Sequence, residues 1–309
     1  MTQRVILDTD IGDDIDDAYA LALILASPEL DLLGVTTVFM NTVARARQAR
    51  TLLTLAGRGE VPVTAGCGGP IAPRTTSEFD ARQAYLEGRL PNQDATCLPE
   101  AQLPPADPRH AVDYMVDTLL AGNGDIIILT IGAMTNLALA MLKEPRIIAR
   151  IPRIVAMAGT FDRQISEWNI RCDPVAAQIV LQSGVPVDLV PLDVTMQVRY
   201  EREQLLRLRD ARRPLAQRLW AAHVARATSM GIADPLACVD IMHDPLAVES
   251  LLDDTLLKWK QGRASVELHG HGTYGYTLFA EQANGPHRYA RAVDAGTAMD
   301  LWMTRVLAY

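Results

Sequence analysis

A chain of 309 residues with 49% hydrophobic and 21% charged residues has the make-up of a globular protein with a large core. Its net charge of −8 and its lack of any basic run argue against a nucleic-acid partner, because neutralising phosphates takes clustered lysine and arginine. The most apolar run, Ala18–Ala26, is too short to cross a bilayer, and Val5-Ile6-Leu7 is too short for a signal peptide, so no membrane contact is expected. The cysteines Cys67, Cys97, Cys172 and Cys238 are scattered without a CxxC pair; this predicts a reducing, cytoplasmic setting with neither disulfides nor a zinc site.

In chain order, β-type runs alternate with helical patterns. Arg4–Leu7 predicts a strand and Asp17–Ala26 a helix; Leu32–Phe39 a strand and Thr42–Leu55 a helix. Asp125–Thr130 and Arg153–Met157 predict strands, followed by helices over Thr135–Leu142 and Pro174–Gln182, and Val187–Val190 predicts another strand. Val266–His269, Gly275–Phe279 and a helix over Ala295–Leu307 complete the pattern. Such alternation points to an α/β fold: a mostly parallel open sheet with helices on both faces, Rossmann-like, in a single domain over residues 1–309. Ala65–Pro108, rich in glycine and proline, reads as a surface excursion with one helix near Ser77–Leu86, either a lid or a tolerated insertion. Gly159–Cys172 reads as a shorter polar loop.

The charge is concentrated at the start. Asp8, Asp10, Asp13, Asp14, Asp16 and Asp17 crowd around the end of the first strand against Arg4 alone. Asp8 and Asp10 lie two residues apart, so an extended backbone points them the same way. Asp16 and Asp17 fall at a helix start, where the helix dipole favours each acid by about 0.3–1 kcal/mol. That justifies one or two aspartates, not six, and a hard cation with several oxygen ligands is the natural compensation. An EF-hand register starting at Asp8 fails, because its sixth and twelfth positions hold Asp13 and Tyr19 instead of glycine and glutamate. Asp8-Thr9-Asp10 also resembles the opening of haloacid dehalogenase-type phosphatases, which makes a magnesium-dependent phosphatase with Asp8 as nucleophile the alternative enzyme.

Asp8-Thr9-Asp10-Ile11-Gly12, followed by Asp16-Asp17-Ala18, resembles the signature of the inosine-uridine-preferring nucleoside hydrolases. Further landmarks follow in that family's order: Val35-Thr36-Thr37-Val38 leading to Asn41; Thr130 to Asn136; Met157 with Glu167-Trp168-Asn169 and Asp173-Pro174; Pro191 to Thr195; and His243-Asp244-Pro245. The resemblance spans essentially the whole chain. It implies calcium-dependent hydrolysis of the N-glycosidic bond of ribonucleosides by a homodimer or homotetramer. By the same resemblance, Asp10, Asp17, Asp244 and the carbonyl of Ile131 would hold the calcium ion. Asp16, Asn169 and Asp244 would meet the ribose hydroxyls, and Asn41, Met157 and Glu167 would line the sugar pocket. Asp10 would take the proton of a water positioned by the metal, and His243 would face the leaving base, its ordinary pKa of about 6.5 allowing it to donate near neutrality.

The chain departs from the family pattern in three places. Two extra residues separate Asp10 from the second acid pair, so Asp14 competes with Asp16 for the sugar contact. The loop after Met157 lacks the asparagine that the family uses for the 5′-hydroxyl, leaving Asp162 or Gln164 to stand in. The histidine segment of many members is absent from Ala65–Pro108, so base recognition is open; Trp220 and His223 fall where the family closes over the base. Taken singly, Asp244 before proline reads as a helix cap, and Thr135 and Asn136 read as caps too. A catalytically inactive member that binds ribosides or calcium is the alternative outside enzymes.

Overall fold

A computed structural model describes residues 2–309. The chain opens with β1 (Gln3–Thr9), α1 (Asp16–Leu25), β2 (Leu30–Thr37), α2 (Thr42–Leu55) and β3 (Val63–Ala65), then α3 (Thr76–Leu86) and α4 (Ala111–Ala121). It continues through β4 (Ile126–Thr130), α5 (Thr135–Lys143), β5 (Ile154–Met157), α6 (Trp168–Cys172), α7 (Pro174–Gln182) and β6 (Val187–Val190). Next come α8 (Leu192–Thr195), β7 (Arg199–Tyr200), α9 (Arg202–Asp210), α10 (Pro214–Ser229), β8 (Asp240–Ile241) and α11 (His243–Leu252). β9 (Leu257–Val266), β10 (Thr277–Glu281), β11 (His287–Val293) and α12 (Ala295–Ala308) close the chain.

One sheet runs through the molecule in the order β10-β9-β11-β6-β5-β4-β1-β2-β3. Strands from β11 to β3 are parallel, and β9 pairs antiparallel with both β10 and β11. Successive residues of the parallel strands enter different cores, because side chains alternate across a sheet. Val5, Leu7, Ile127, Leu129 and Val155 join the core that contains α1, α11 and α12. Ile6, Ile126, Ile128 and Ile154 join the core that contains α4, α5 and α7. Both faces of the sheet are therefore covered, as the sequence pattern predicts.

Several elements differ from expectation. The strand expected over Val266–His269 is the last residue of β9 followed by a loop. Most of β9, and all of β11, escaped the reading because charged residues such as Lys258, Lys260, Arg263 and Arg288 interrupt them. The polar loop Gly159–Cys172 ends in the short helix α6. Asp244 is not a cap: Met242 holds that position, and Asp244 lies in the first turn of α11. Nor do Thr135 and Asn136 cap α5. The Thr135 hydroxyl donates to Asp173 at 2.8 Å, and Asn136 Nδ2 reaches back to Asp8 Oδ1 at 2.8 Å and the Thr37 carbonyl at 3.0 Å.

β1 lies between β2 and β4, and the order of the strands reverses there. In open parallel sheets the crevice outside the carboxyl ends at such a point is where ligands bind. The loop after β1 carries the aspartates, and Ile131 follows β4 directly.

Candidate active site

A cleft of about 480 Å³ opens at this rim. Its walls include Asp10, Asp13, Asp14, Asp16, Asp17, Ile131, Met157, Glu167, Asn169, His243 and Asp244. Residues that are far apart in sequence therefore meet around one space. Asp16, Asp17 and Asp244 are buried, and each offers an oxygen within 4.8 Å of the others. α1 brings the first two in its opening turn, and α11 brings the third in its own. Asp10 approaches from the β1 loop against Gly132. A side chain there would place its Cβ 2.8 Å from Asp10 Oδ1, so only glycine leaves room for the carboxylate.

The electrostatics of this quartet are one-sided. Burial, reinforced by the neighbouring carboxylates, pushes Asp16, Asp17 and Asp244 well above the usual carboxylate range. Burial raises Asp10 to about 6, opposed by the nearby Arg45 guanidinium. Apart from the Thr9 hydroxyl, which donates to Asp17, the side-chain oxygens of the quartet accept no side-chain hydrogen bond among the described residues. The Ile131 carbonyl accepts from Asn169 Nδ2 at 3.0 Å, and a carbonyl retains a second lone pair for another partner. Asn169 Nδ2 also meets the Met157 carbonyl at 2.9 Å, which ties α6 to the ends of β4 and β5.

Glu167 sits at the N-cap of α6. Its carboxylate accepts from the backbone N–H groups of Gly159, Asn169 and Ile170 at 2.9, 2.8 and 3.2 Å. Burial nevertheless raises it to about 7. His243 Nδ1 lies 2.7 Å from the Thr195 hydroxyl, leaving Nε2 as its other ring nitrogen. Burial pushes His243 down to about 4, so the ring is neutral at pH 7, and the expectation of an ordinary value near 6.5 is corrected.

Other sequence candidates lie elsewhere. Asn41 is not part of the cleft lining; its Oδ1 caps α2 by accepting from Ala44 N at 3.1 Å, while Phe39 and Met40 line the wall beside it. Asp162 and Gln164 are exposed and outside the lining. His223 is fully buried with both ring nitrogens engaged, by Asp240 at 2.6 Å and the Pro235 carbonyl at 2.8 Å, so it is closed to a base. Trp220 stacks on that ring at 5.2 Å and serves packing. Asp8 is fully buried beneath the cleft. Its Oδ1 accepts from Thr36 at 2.6 Å and from Asn136, and burial raises it to about 7. With no access to the cleft, it is not a phosphatase nucleophile.

The two surplus acids have partners that the sequence did not reveal. Asp13 pairs with Arg45 at 2.8 Å, and Asp14 pairs with Arg226 at 2.6 Å. The excursion is not a free insertion either: Asn92 N donates to Asp13 at 3.1 Å and Gln93 N to the Gly12 carbonyl at 3.0 Å. Sequence reasoning also missed Arg45, Ile165, Ser166, Arg171 and Leu192 in the cleft wall. For Arg45 a signal existed, since a run of acids this dense demands a cation from somewhere in the chain.

Comparison with known proteins identifies the family and the fold. The chain is 41% identical over 219 residues, 66% of each chain, to an uncharacterised protein of Schizosaccharomyces pombe. It is 30% identical over 285 residues to the inosine-uridine preferring nucleoside hydrolase of Crithidia fasciculata, covering 90% of this chain and 88% of that one. A solved plant nucleoside hydrolase superposes over 100% of both chains with a TM-score of 0.84 at 27% identity. The sequence profile described as inosine-uridine preferring nucleoside hydrolase matches residues 5–301, and the chain belongs to that family.

Proposed function

We propose that this protein hydrolyses the N-glycosidic bond of ribonucleosides, using a divalent cation, calcium, held by Asp10, Asp17, Asp244 and the Ile131 carbonyl. The observation that carries this reading is the buried group Asp16, Asp17 and Asp244, flanked by Asp10, at the carboxyl rim of the sheet. The donor set is all oxygen, which suits a hard cation, and calcium tolerates its irregular arrangement. Buried carboxylates without a counter-charge are costly, and a bound cation removes that cost. The residues present therefore fit the ion: Asp10, Asp17, Asp244 and the Ile131 carbonyl hold it, and Asp16 and Asn169 face the ribose hydroxyls. When bound, the cation supplies Lewis acidity and orders the oxygens around it.

In this reading Asp10 accepts a proton from the attacking water as a new bond forms between the water oxygen and C1′ of the ribose. The bond from C1′ to the base nitrogen breaks, and its electron pair leaves with the base. The transition state carries positive charge on the sugar, as in glycoside cleavage generally. The surrounding carboxylates favour that charge. Glu167, fixed by three backbone donors, and Met157 shape the sugar side. His243 assists departure. A Thr195 hydroxyl that donates to Nδ1 would leave the proton of the neutral ring on Nε2, from which it is offered to the base as a hydrogen bond. The proton taken by Asp10 passes through solvent to the departed base, which resets the carboxylate and leaves ribose and neutral free base as products. The family resemblance proposes a homodimer or homotetramer, and the scattered cysteines, all four free, propose a reducing, cytoplasmic setting; no described helix is long and apolar enough to cross a membrane.

The test is a panel of purine and pyrimidine ribonucleosides with ribose release as the readout. The expected result is turnover that stops with chelator and returns with calcium. Phosphate release from phosphomonoesters without ribose release would overturn the reading, and binding without turnover would support an inactive member instead.

A further inference from the structure

We infer that Arg45 is a positioning residue that holds Asp10 and the Phe39–Met40 turn in place before any cation or substrate arrives. This rests on the proposed function for its meaning but not for its geometry. Arg45 is 1% exposed, and its side chain spends its donors on the two loops that frame the cleft. Nη1 donates to the Asp10 carbonyl and, at 3.0 Å, to the Ile11 carbonyl; Nε donates to the Phe39 carbonyl at 2.7 Å. Nη2 meets the Asp13 carboxylate at 2.8 Å, which balances the buried charge. A guanidinium is a rigid planar fork, so these bonds fix the two loops relative to each other; an ammonium has no such fork.

The second loop needs holding. Phe39 and Met40 have φ of 67° and 56°, the left-handed region that side chains rarely adopt. Such residues cost about 1–3 kcal/mol each and persist only where the surroundings impose them. Here the Phe39 and Met40 N–H groups donate to the Cys67 and Gly68 carbonyls at 2.7 and 2.8 Å, and Arg45 takes the Phe39 carbonyl. The aspartate loop is tethered likewise. Asn92 holds the other oxygen of Asp13, Gln93 Nε2 holds the Asp14 carbonyl at 2.7 Å, and Arg226 holds the Asp14 carboxylate. The two residues that the resemblance leaves unexplained, Asp13 and Asp14, are thus the anchor points of a brace, and Arg45 is its inner member.

Arg45 also brings a positive charge close to a site for a cation, so its two effects on calcium have opposite signs. Loss of positioning weakens binding, whereas loss of repulsion strengthens it. Asp13 already neutralises the charge at 2.8 Å, so positioning prevails. The experiment compares wild type, Arg45→Met, Arg45→Lys and Asp13→Asn by calcium titration calorimetry and by amide exchange at Ile11 and Asp13 in the metal-free protein. The expectation for Arg45→Met is calcium binding about tenfold weaker, the lower end of what residues supporting metal ligands typically contribute. Arg45→Lys falls in between, because it restores charge without the fork, and both variants exchange faster at the two amides. Tighter binding by Arg45→Met, or an Arg45→Lys protein that matches wild type in both readouts, overturns the proposal. If Arg45→Met does not fold, Arg45→Lys and Asp13→Asn carry the test. If wild type binds no calcium, the cation reading fails, and exchange alone decides for or against Arg45.

Discussion

Glu249 is a buried acid that the site does not use. It lies on α11, is 1% exposed, and neither of its carboxylate oxygens has a hydrogen-bond partner among the described residues. Burial alone raises it well above the usual carboxylate range, with no charge nearby to oppose the shift. Replacing it with leucine removes an unsatisfied buried polar group, an effect worth about 1–3 kcal/mol. The sign with pH follows from linkage. A carboxyl whose folded value is raised is fully tolerated below its unfolded value of about 4.3, and stability is then lost as pH rises through the folded value. Each pH unit in that window adds about 1.4 kcal/mol to the penalty. Glu249→Leu is therefore more stable than wild type throughout, by a margin that widens as pH rises above about 4 towards the raised folded value. Glu249→Gln keeps the unsatisfied polar group but cannot ionise, so it gains only the pH-dependent part. Denaturant titrations of the three proteins across this range, each with calcium present, measure both parts. A leucine variant less stable than wild type, or a gap independent of pH, would refute the reasoning.

Other consequences follow from the site. His243→Ala slows natural nucleosides by about 10²–10³-fold, the usual cost of removing one hydrogen-bond donor to a developing anion, but slows nitrophenyl riboside far less, since that leaving group is stable as an anion; equal losses remove the role. For the quartet, the raised folded values of Asp10, Asp16, Asp17 and Asp244 make the metal-free protein lose stability as pH rises above about 4 and through those values. Calcium cancels that loss, so the increment in melting temperature that it confers grows as pH rises above about 4; an increment constant with pH places the ion elsewhere. Asn41→Ala costs about 1 kcal/mol through the lost cap on α2, and Asn41→Ser recovers most of it. A rise in KM with either variant that is independent of stability would show that Asn41 also reaches the sugar.

The parallel core was legible because its strands are apolar on both faces: Ile126–Leu129 and Ile154–Ala156 are buried at every position, and such runs stand out in a sequence. β9 and β11 were hidden because each has a solvent-facing side. Arg288 on β11 lies over Trp259 of β9 at 4.1 Å, a stabilising contact whose residues look like loop chemistry when read singly. Within the site, the family order of motifs located Asp10, Asp16, Asp17, Ile131, Met157, Glu167, Asn169, His243 and Asp244, and all of them line the cleft. The partners of Asp13 and Asp14 were out of reach, since Arg45 and Arg226 lie 32 and 212 residues away and only the packing of α2 and α10 brings them close. The neutral state of His243 was equally hidden, because burial sets it and sequence does not report burial.

The crowding of aspartates at the start of the chain thus resolves into three uses. Asp8 braces β1 through Thr36 and Asn136, Asp13 and Asp14 anchor the loop to arginines, and Asp10, Asp16 and Asp17 face the cleft with Asp244. The most direct test of the account is ribose release from a good ribonucleoside substrate by Asp10→Ala, measured with saturating calcium and with folding confirmed by melting temperature. The account predicts loss of nearly all turnover in a folded protein. Ribose release at the wild-type rate from Asp10→Ala would contradict it.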